Sequence, residues 1–415
     1  MGGQQFASGS LHLDTRGLDR VVDFDRETGH IEVEAGIQWP ALIERYLALQ
    51  AGAARVWGIA QKQTGADRLS LGGALASNVH GRGLTRAPFV GDIESFTLLD
   101  GRGELIPCSR HDNTELFRLA VGGYGLFGVV YSIRLRLTPR RKLERVVEVR
   151  PVDGLAEAVG SRVDDGFLYG DFQFKTDAKA PDFLQRGVFS CYRPVADETP
   201  MPASQRRLRD EDWLRLLHLA HFDKARGFEE YAGYYLTTNG QLYWSDTHQL
   251  GFYADDYHSG LDRASGAAVK GSEMISEVYV PRAELAGFLA ETADAFRAAG
   301  VDVIYGTVRF IEPDEETFLP WARQAYAAIV FNLHVDHSPA GIQRAKREFR
   351  SLIDLARKRG GSYFLTYHRW ATRQQVDACY PEMARFLDQK LAQDPDERFQ
   401  SNWYRHYKAM YSEPA

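Results

Sequence analysis

Residues 122–139 read GGYGLFGVVYSIRLRLTP, and Gly123, Gly125 and Gly128 within them match the spacing G-x-G-x-x-G. That spacing marks a nicotinamide-dinucleotide site only where a strand precedes the glycines and a helix comes after them, because the helix N-terminus binds the phosphates. Here the order is reversed. Residues 113–121 place apolar side chains at helical spacing, and residues 129–137 alternate apolar and polar side chains as a strand does. The stretch predicts a helix, a glycine turn and a strand, and it excludes the nicotinamide fingerprint.

The bulk composition is that of a globular protein of two or three domains. The chain has 415 residues, 44% hydrophobic and 26% charged, with a net charge of −6 that gives no general attraction to nucleic acid or anionic membranes. Its three cysteines, Cys108, Cys191 and Cys379, are too far apart for a disulfide framework or a metal cluster, so we expect a reducing compartment and no metal site. The first ten residues lack the features of a signal peptide, and no run approaches the ~20 apolar residues of a membrane helix. A cytoplasmic location is expected.

Three regions differ in character. Residues 1–140 are rich in glycine and short strands, residues 141–370 alternate strands with long amphipathic helices, and residues 371–415 are helical with an aromatic, basic end. Consecutive antiparallel strands with helices on one face predict an α+β class. We expect these regions to be a cofactor domain, a substrate or cap domain, and a helical segment that returns to the cofactor.

The most informative block is SLGGALASNVHGRG, residues 70–83. Small residues dominate it, so a flat or phosphorylated ligand would be able to approach the backbone closely, and Asn78 and His80 would supply directional hydrogen bonds. A tightly packed junction between a helix and a loop explains the same pattern.

Three consecutive blocks carry a family resemblance: SLGGALASNVHGRG, then VGDIESFTLLDGRGE from Val90, then ELFRLAVGGYGLFGVVYSIRLRLTP from Glu115. In order and spacing they resemble the FAD-binding domain of the vanillyl-alcohol oxidase (PCMH-type) superfamily. The nearest branches are the aldonolactone oxidases, the alditol oxidases and the decaprenylphosphoryl-ribose oxidases. The resemblance implies FAD as cofactor, bound by residues of all three blocks: Ser70, Gly72, Gly73, Ser77, Asn78, His80, Gly81, Ile93, Gly123, Gly128 and Val130.

The resemblance is weaker in the second region. YGTVRFIEPDEETFLPW, from Tyr305, resembles the strand that brings an Arg to the substrate in alditol oxidases, which matches Arg309. Those enzymes have a Glu two residues earlier, where this chain has Thr307. FNLHVD matches a following strand with an inward His, His334, and GGSYFLTYHRW matches a strand that carries a catalytic Lys, here replaced by Tyr367. The chain thus has neither that Glu nor that Lys at the matching positions. The closing Asp394-Pro395, Phe399 and Ser401 also resemble a family segment near the flavin.

Oxidation of an alcohol by a flavin needs a base for the hydroxyl proton while hydride leaves carbon. Our candidates are His334, Tyr367 and His368, with Arg309 to hold an anionic or hydroxyl-rich substrate. On an alternating strand Tyr367 and His368 face opposite sides, so only one meets the flavin. Register favours Tyr367, whereas basicity favours His368. A hydrogen-bonded structural imidazole is the alternative for each histidine. The aromatic cluster around residues 243–257 is a candidate sugar-binding wall or a packed cap.

The sequence therefore predicts an FAD-dependent oxidoreductase that oxidises a CH–OH group of a polyol, sugar or sugar lactone, with oxygen or another compound as electron acceptor. Two rivals remain: an oxidase of a lipid-linked pentose that serves in an epimerisation, and a non-catalytic remnant that acts as a binding protein. The first residues, MGGQQFASGS, resemble the segment after a pyrophosphate-binding turn in the family. On that resemblance we expect about fifty preceding residues of a typical member to be missing.

Overall fold

Two antiparallel sheets form the framework of the protein, whose computed structural model describes residues 6–412. The first sheet has five strands in the spatial order β1 (Val21–Asp25), β2 (His30–Glu34), β6 (Val129–Arg136), β4 (Ile93–Leu99) and β5 (Leu105–Ser109). A separate ribbon pairs β3 (Trp57–Gly58) with β7 (Thr138–Pro139). The helices of this part are α1 (Trp39–Leu49), α2 (Leu71–Ser77) and α3 (Thr114–Ala120).

The predicted helix, glycine turn and strand are confirmed as α3, the turn and β6. Gly122 and Gly125 turn the chain with φ of +72° and +71°, which L side chains rarely adopt. Gly123 is required for a different reason: a Cβ there would lie 2.0 Å from the carbonyl oxygen of Leu119. The turn delivers β6 into the centre of the sheet, between β2 and β4.

The second sheet has eight strands. Their spatial order is β11 (Leu242–Trp244), β8 (Lys142–Pro151), β10 (Arg186–Pro194), β9 (Tyr169–Phe174), β13 (Val303–Ile311), β14 (Tyr326–Asp336), β12 (Gly271–Pro281) and β15 (Ser362–Tyr363). The helices between these strands are α4 (Leu155–Asp164), α5 (Asp210–Phe222), α6 (Lys224–Thr237), α7 (Tyr257–Ser265), α8 (Leu285–Ala299) and α9 (Pro339–Lys358). The expected α+β class is confirmed.

Strand β12 shows how this sheet divides its two faces. Helices α8 and α9 pack against β12, and Val278 and Val280 are fully buried. Because side chains alternate along a strand, Glu273, Glu277 and Tyr279 point to the opposite face. The helix-covered face is therefore core, and the other face is free to carry polar chemistry.

The chain closes with α10 (Arg373–Cys379), α11 (Met383–Gln393) and α12 (Asn402–Ser412). Trp403 of α12 stacks on Tyr124 of the glycine turn at 4.4 Å between ring centroids. The predicted strand at residues 360–370 is shorter than expected, because β15 ends at Tyr363 and the following residues form a turn. Within residues 6–412, no helix is both long and apolar enough to cross a membrane.

Candidate active site

A buried acid–base pair links the two parts of the protein. His80, just after α2, places Nε2 2.5 Å from Oε1 of Glu277 on β12, and both side chains are 1% exposed. The other ring nitrogen of His80, Nδ1, lies 3.0 Å from the carbonyl oxygen of Gly81. Both ring nitrogens thus face oxygen atoms, the carboxylate of Glu277 on one side and a backbone carbonyl on the other. The pair joins an imidazole directly to a carboxylate.

The surroundings of Glu277 favour its ionised form. Burial alone raises the pKa of Glu277. The charge and hydrogen bond of His80, the charge of Arg309 and the hydroxyl of Tyr279 together outweigh burial, so the pKa of Glu277 is below its ordinary value. Tyr279 donates to Oε1 at 3.0 Å. The site therefore contains a carboxylate that is almost fully shielded from solvent, on the polar sheet face.

Tyr367 lies against the same carboxylate. Gln63 donates its Nε2–H to the Tyr367 hydroxyl at 3.1 Å. Burial and the nearby Glu277 raise the pKa of Tyr367 well above its ordinary value. Tyr367 is accordingly a neutral hydroxyl that donates a hydrogen bond, and the carboxylate of Glu277 is the acceptor beside it.

The other two predicted bases lie elsewhere. His368 packs between Phe349 and Trp370, and burial lowers its pKa to about 4, so it is a neutral core imidazole. His334 shares the polar sheet face, but it lies four residues along β14 from Val330, the residue paired with Glu277. At the rise of a strand this separates the two positions by about 13 Å. Only Tyr367 and Arg309 of the four predicted catalytic residues meet at the acid–base pair.

Arg309 connects the pair to a large cavity. It lines an open cavity of about 1310 Å³ and also acts electrostatically on Glu277 and Tyr367. Five arginines and two aspartates line this cavity, so its field is positive. The predicted aromatic cluster contributes to its wall with Tyr243, Trp244, His248, Tyr253 and Tyr257.

Several polar atoms of the cavity lining are buried and have no hydrogen-bond partner among the described residues. They are Nε of Arg309, Nε of Arg82, Oδ1 of Asp171, Oε1 of Gln173 and Oδ1 of Asn332. Buried polar groups are normally paired, so this concentration of unpaired donors and acceptors is suited to a ligand with many hydroxyl groups.

The predicted cofactor block forms a face with few side chains. Gly72, Gly73 and Ala76 are its half-buried residues on α2. The first-turn amides are already used, since Gly72 donates to the Ala35 carbonyl at 2.8 Å and Gly73 to Oγ of Ser70 at 3.2 Å. The block thus presents a flat backbone surface rather than a ring of free N–H donors.

Asn78 ends α2 in the left-handed conformation, with φ of 44°. Its Nδ2 donates to Asp314 at 2.9 Å, its Oδ1 accepts from the Val90 amide at 2.9 Å, and its carbonyl accepts from Nε1 of Trp321 at 2.8 Å. The side chain predicted to contact the cofactor is therefore committed to joining α2 to the second sheet.

The remaining predicted cofactor residues have identifiable structural surroundings. Ile93 is fully buried at the start of β4, and Val130 pairs with Leu98. A Cβ at Gly128 would lie 2.6 Å from the Leu99 carbonyl, and one at Gly81 would lie 2.8 Å from the Lys62 carbonyl. Ser77 is buried on α2. Contacts of these residues with a cofactor stay predictions.

Comparison with known proteins agrees with this architecture. A family model described as an FAD binding domain matches residues 1–109. L-gulono-1,4-lactone dehydrogenase of Mycobacterium tuberculosis is 25% identical over 406 residues, 95% of this chain and 85% of that protein. Decaprenylphosphoryl-beta-D-ribose oxidase of Mycolicibacterium smegmatis is 26% identical over 199 residues, 46% of this chain and 41% of that protein. Cytokinin dehydrogenase 4 of Oryza sativa is 31% identical over 121 residues, 29% of this chain and 22% of that protein.

Fold, site and relatives together define the class, an FAD-dependent oxidoreductase family. The expected resemblance to the PCMH-type FAD oxidase superfamily is confirmed, and the matched domain supports FAD as the cofactor. The residues present fit that cofactor. The face of Gly72, Gly73 and Ala76 would accept a flat ring or its chain, and the buried, unpaired Oε1 of Gln63 and Oγ1 of Thr64 are polar atoms for which a bound group would provide partners.

Sequence reasoning missed Glu277, Tyr279 and Gln63. A signal for Glu277 was present, since it is the one ionisable carboxylate within the largely apolar run from Met274 to Pro281. It also lies in one cross-strand row with Thr307, because both pair with Val330 of β14. The carboxylate that the resemblance led us to seek at position 307 is therefore present two strands away in the same row.

Proposed function

We propose that this protein oxidises a CH–OH group of a sugar-like substrate, either a polyol, a sugar or a sugar lactone. The observation that carries the proposal is the His80–Glu277 pair, with 2.5 Å between Nε2 and Oε1. Beside it, Arg309 lines a positively charged cavity whose unpaired polar atoms suit a ligand with many hydroxyl groups. The similarity to a gulonolactone dehydrogenase along 95% of the chain supports the same substrate class.

Each residue then has a role that depends on its protonation state. Arg309, whose Nε is unpaired, holds a hydroxyl or carboxylate of the substrate. Tyr367 donates its O–H to the reacting oxygen. Glu277 takes the hydroxyl proton, and the hydrogen bond with His80 holds its carboxylate in place. When bound, FAD would supply the acceptor for the hydride that leaves the carbon bearing this hydroxyl. The alcohol thus loses one proton and one hydride and becomes a carbonyl.

The test is anaerobic reduction of the FAD-loaded protein, monitored by the loss of flavin absorbance. L-Gulono-1,4-lactone, an alditol and an aldose are the hydroxylated probes, and a cytokinin serves as the contrasting probe because a cytokinin dehydrogenase is among the relatives. We expect reduction by at least one hydroxylated probe and none by the cytokinin. Reduction by the cytokinin alone would show that the reacting group has been misassigned.

A further inference from the structure

Three histidines surround a second buried carboxylate, that of Glu273. This residue lies on the polar sheet face, one cross-strand row beyond the residues of that face that line the cavity. Oε1 of Glu273 lies 3.1 Å from Nε2 of His221 on α5 and 3.5 Å from Nδ1 of His334 on β14. Nε2 of His258, on α7, lies 2.6 Å from the other oxygen, Oε2. Four separate elements, α5, α7, β12 and β14, thus converge on one carboxyl group.

The spacing is that of ligands around a metal ion. With bonds of about 2.0–2.1 Å to nitrogen and oxygen, the ligand atoms of a tetrahedral zinc site are roughly 3.3 Å apart. The two separations from Oε1 bracket that value, and the three ligand atoms of His221, Glu273 and His334 all lie within 4.8 Å of one another. Two imidazole nitrogens and one carboxylate oxygen leave a fourth position open, which is a common zinc ligand set.

Two further features indicate a built site rather than a chance cluster. Nε2 of His221 is buried and aimed at Glu273, and Oε1 of Glu273 is its one polar neighbour named among residues 6–412, at a distance that suits two ligands of one ion as well as a hydrogen bond. Oε2 of Glu273 is held by His258 and by the hydroxyl of Tyr257, which fixes the carboxylate and leaves Oε1 toward the other two histidines. Hydrogen bonds of this kind orient metal ligands in known sites.

Gly271 provides the room for one ligand. A Cβ at this position would lie 2.4 Å from Cε1 and 2.8 Å from Nε2 of the His334 ring, so any larger residue would displace the imidazole. The glycine is the first residue of β12 and has no left-handed φ, so its small size is used for the ring and not for a turn.

We propose that His221, Glu273 and His334 bind one divalent transition-metal ion, with zinc the best match, and that His258 and Tyr257 orient the carboxylate. The ion joins α5 to β12 and β14, and the orienting residues bring α7 to the same point. Trp213 and Leu217 of α5, Tyr257 of α7 and Asn332 of β14 line the cavity, so the metal fixes the relative positions of its walls. This role is independent of the proposed oxidation.

The test is metal binding by the full chain after dialysis against a chelator. Titration of Zn²⁺ in competition with a chromophoric chelator should give one ion per chain with a dissociation constant of about 1 µM or tighter. Co²⁺ in the same site should give visible d–d absorption of a four-coordinate ion. His221→Asn, Glu273→Gln and His334→Gln should each weaken Zn²⁺ binding by about a hundredfold or more, because each removes one of three protein ligands.

Matched controls lie on the same elements. His218→Asn on α5 and His337→Gln after β14 change histidines that do not face Glu273, and both should bind Zn²⁺ as the unaltered chain does. Gly271→Ala keeps every ligand and should still weaken binding by displacing the His334 ring. Failure of the unaltered, folded chain to bind stoichiometric Zn²⁺, or equal affinity in the ligand variants and the controls, overturns the proposal and leaves a hydrogen-bonded histidine cluster.

Discussion

Replacing Glu277 with Gln tests the proposed base most directly. The substitution keeps the size of the side chain and an oxygen that can accept the hydrogen bond from Tyr279, whose hydroxyl lies 3.0 Å from Oε1 in the unaltered protein. It removes the negative charge that pairs with His80 across 2.5 Å and the only carboxylate that contacts both His80 and Tyr279 among the described residues. A positioned base contributes roughly 10²–10⁴-fold to a rate. We therefore expect flavin reduction to slow by at least about a hundredfold.

The assay is stopped-flow reduction at saturating substrate, with FAD affinity measured separately by titration. Tyr279→Phe is the graded control, because it removes one hydrogen bond to Glu277, worth about 1.5–3 kcal/mol when the acceptor is charged, but leaves the carboxylate in place. It should slow reduction by much less than Glu277→Gln does. A Glu277→Gln rate within about threefold of the unaltered rate, at equal FAD affinity, would refute the assignment of the base.

Three further predictions concern individual side chains. Tyr367→Phe should slow flavin reduction by roughly tenfold or more, because the hydrogen bond that Tyr367 donates is lost. His368→Ala should lower the melting temperature and leave the rate per folded molecule unchanged. The opposite pattern in kinetics and thermal melts would contradict these assignments of Tyr367 and His368. Gly73→Val should abolish FAD binding, as measured by titration, because a Cβ there would lie 2.8 Å from Cδ1 of Leu69 and its branches would displace the side chains beside this face of α2. Retention of stoichiometric flavin would show that this face does not bind the cofactor. Burial raises the pKa of Asp92 from 3.8 to about 6, so the folded state favours the protonated carboxyl, and the stability that this protonation provides is lost as pH rises from about 4 to 6. Asp92→Asn should therefore stabilise the protein in urea unfolding by roughly 3 kcal/mol at pH 7.5 and by clearly less at pH 5. An equal effect at both pH values would exclude this explanation.

The sequence was sufficient for local structure and for part of the site. Reversal of helix and strand around Gly123 correctly excluded the nicotinamide fingerprint, because periodicity is a property of neighbouring residues. His80, Arg309 and Tyr367 were singled out and do meet. Glu277 was missed because its partner His80 lies 197 residues away in the sequence, and no local pattern reports such a pairing.

The sequence did not fix positions along a sheet face. The resemblance implied an inward His at position 334, and His334 does lie on the face that carries Arg309, yet it belongs to a different row and to the Glu273 cluster. The family resemblance pointed to position 307 for a carboxylate, whereas cross-strand pairing supplies it from Glu277. Predicting such a change requires knowing which strands are neighbours in the sheet, and the fold is needed to know that.

Asn78 has a consequence for how the protein binds its two small molecules. It ends α2, the helix with the flat face, and its amide holds Asp314, which in turn accepts from the Thr317 backbone at 3.0 Å. Any displacement of α2 on cofactor binding would therefore act on the segment that follows Arg309 and β13. By reciprocal linkage, whatever FAD does to the affinity for substrate, substrate does equally to the affinity for FAD. Loss of this joint in Asn78→Ala should make the two binding events independent, even though neither ligand need contact the altered residue.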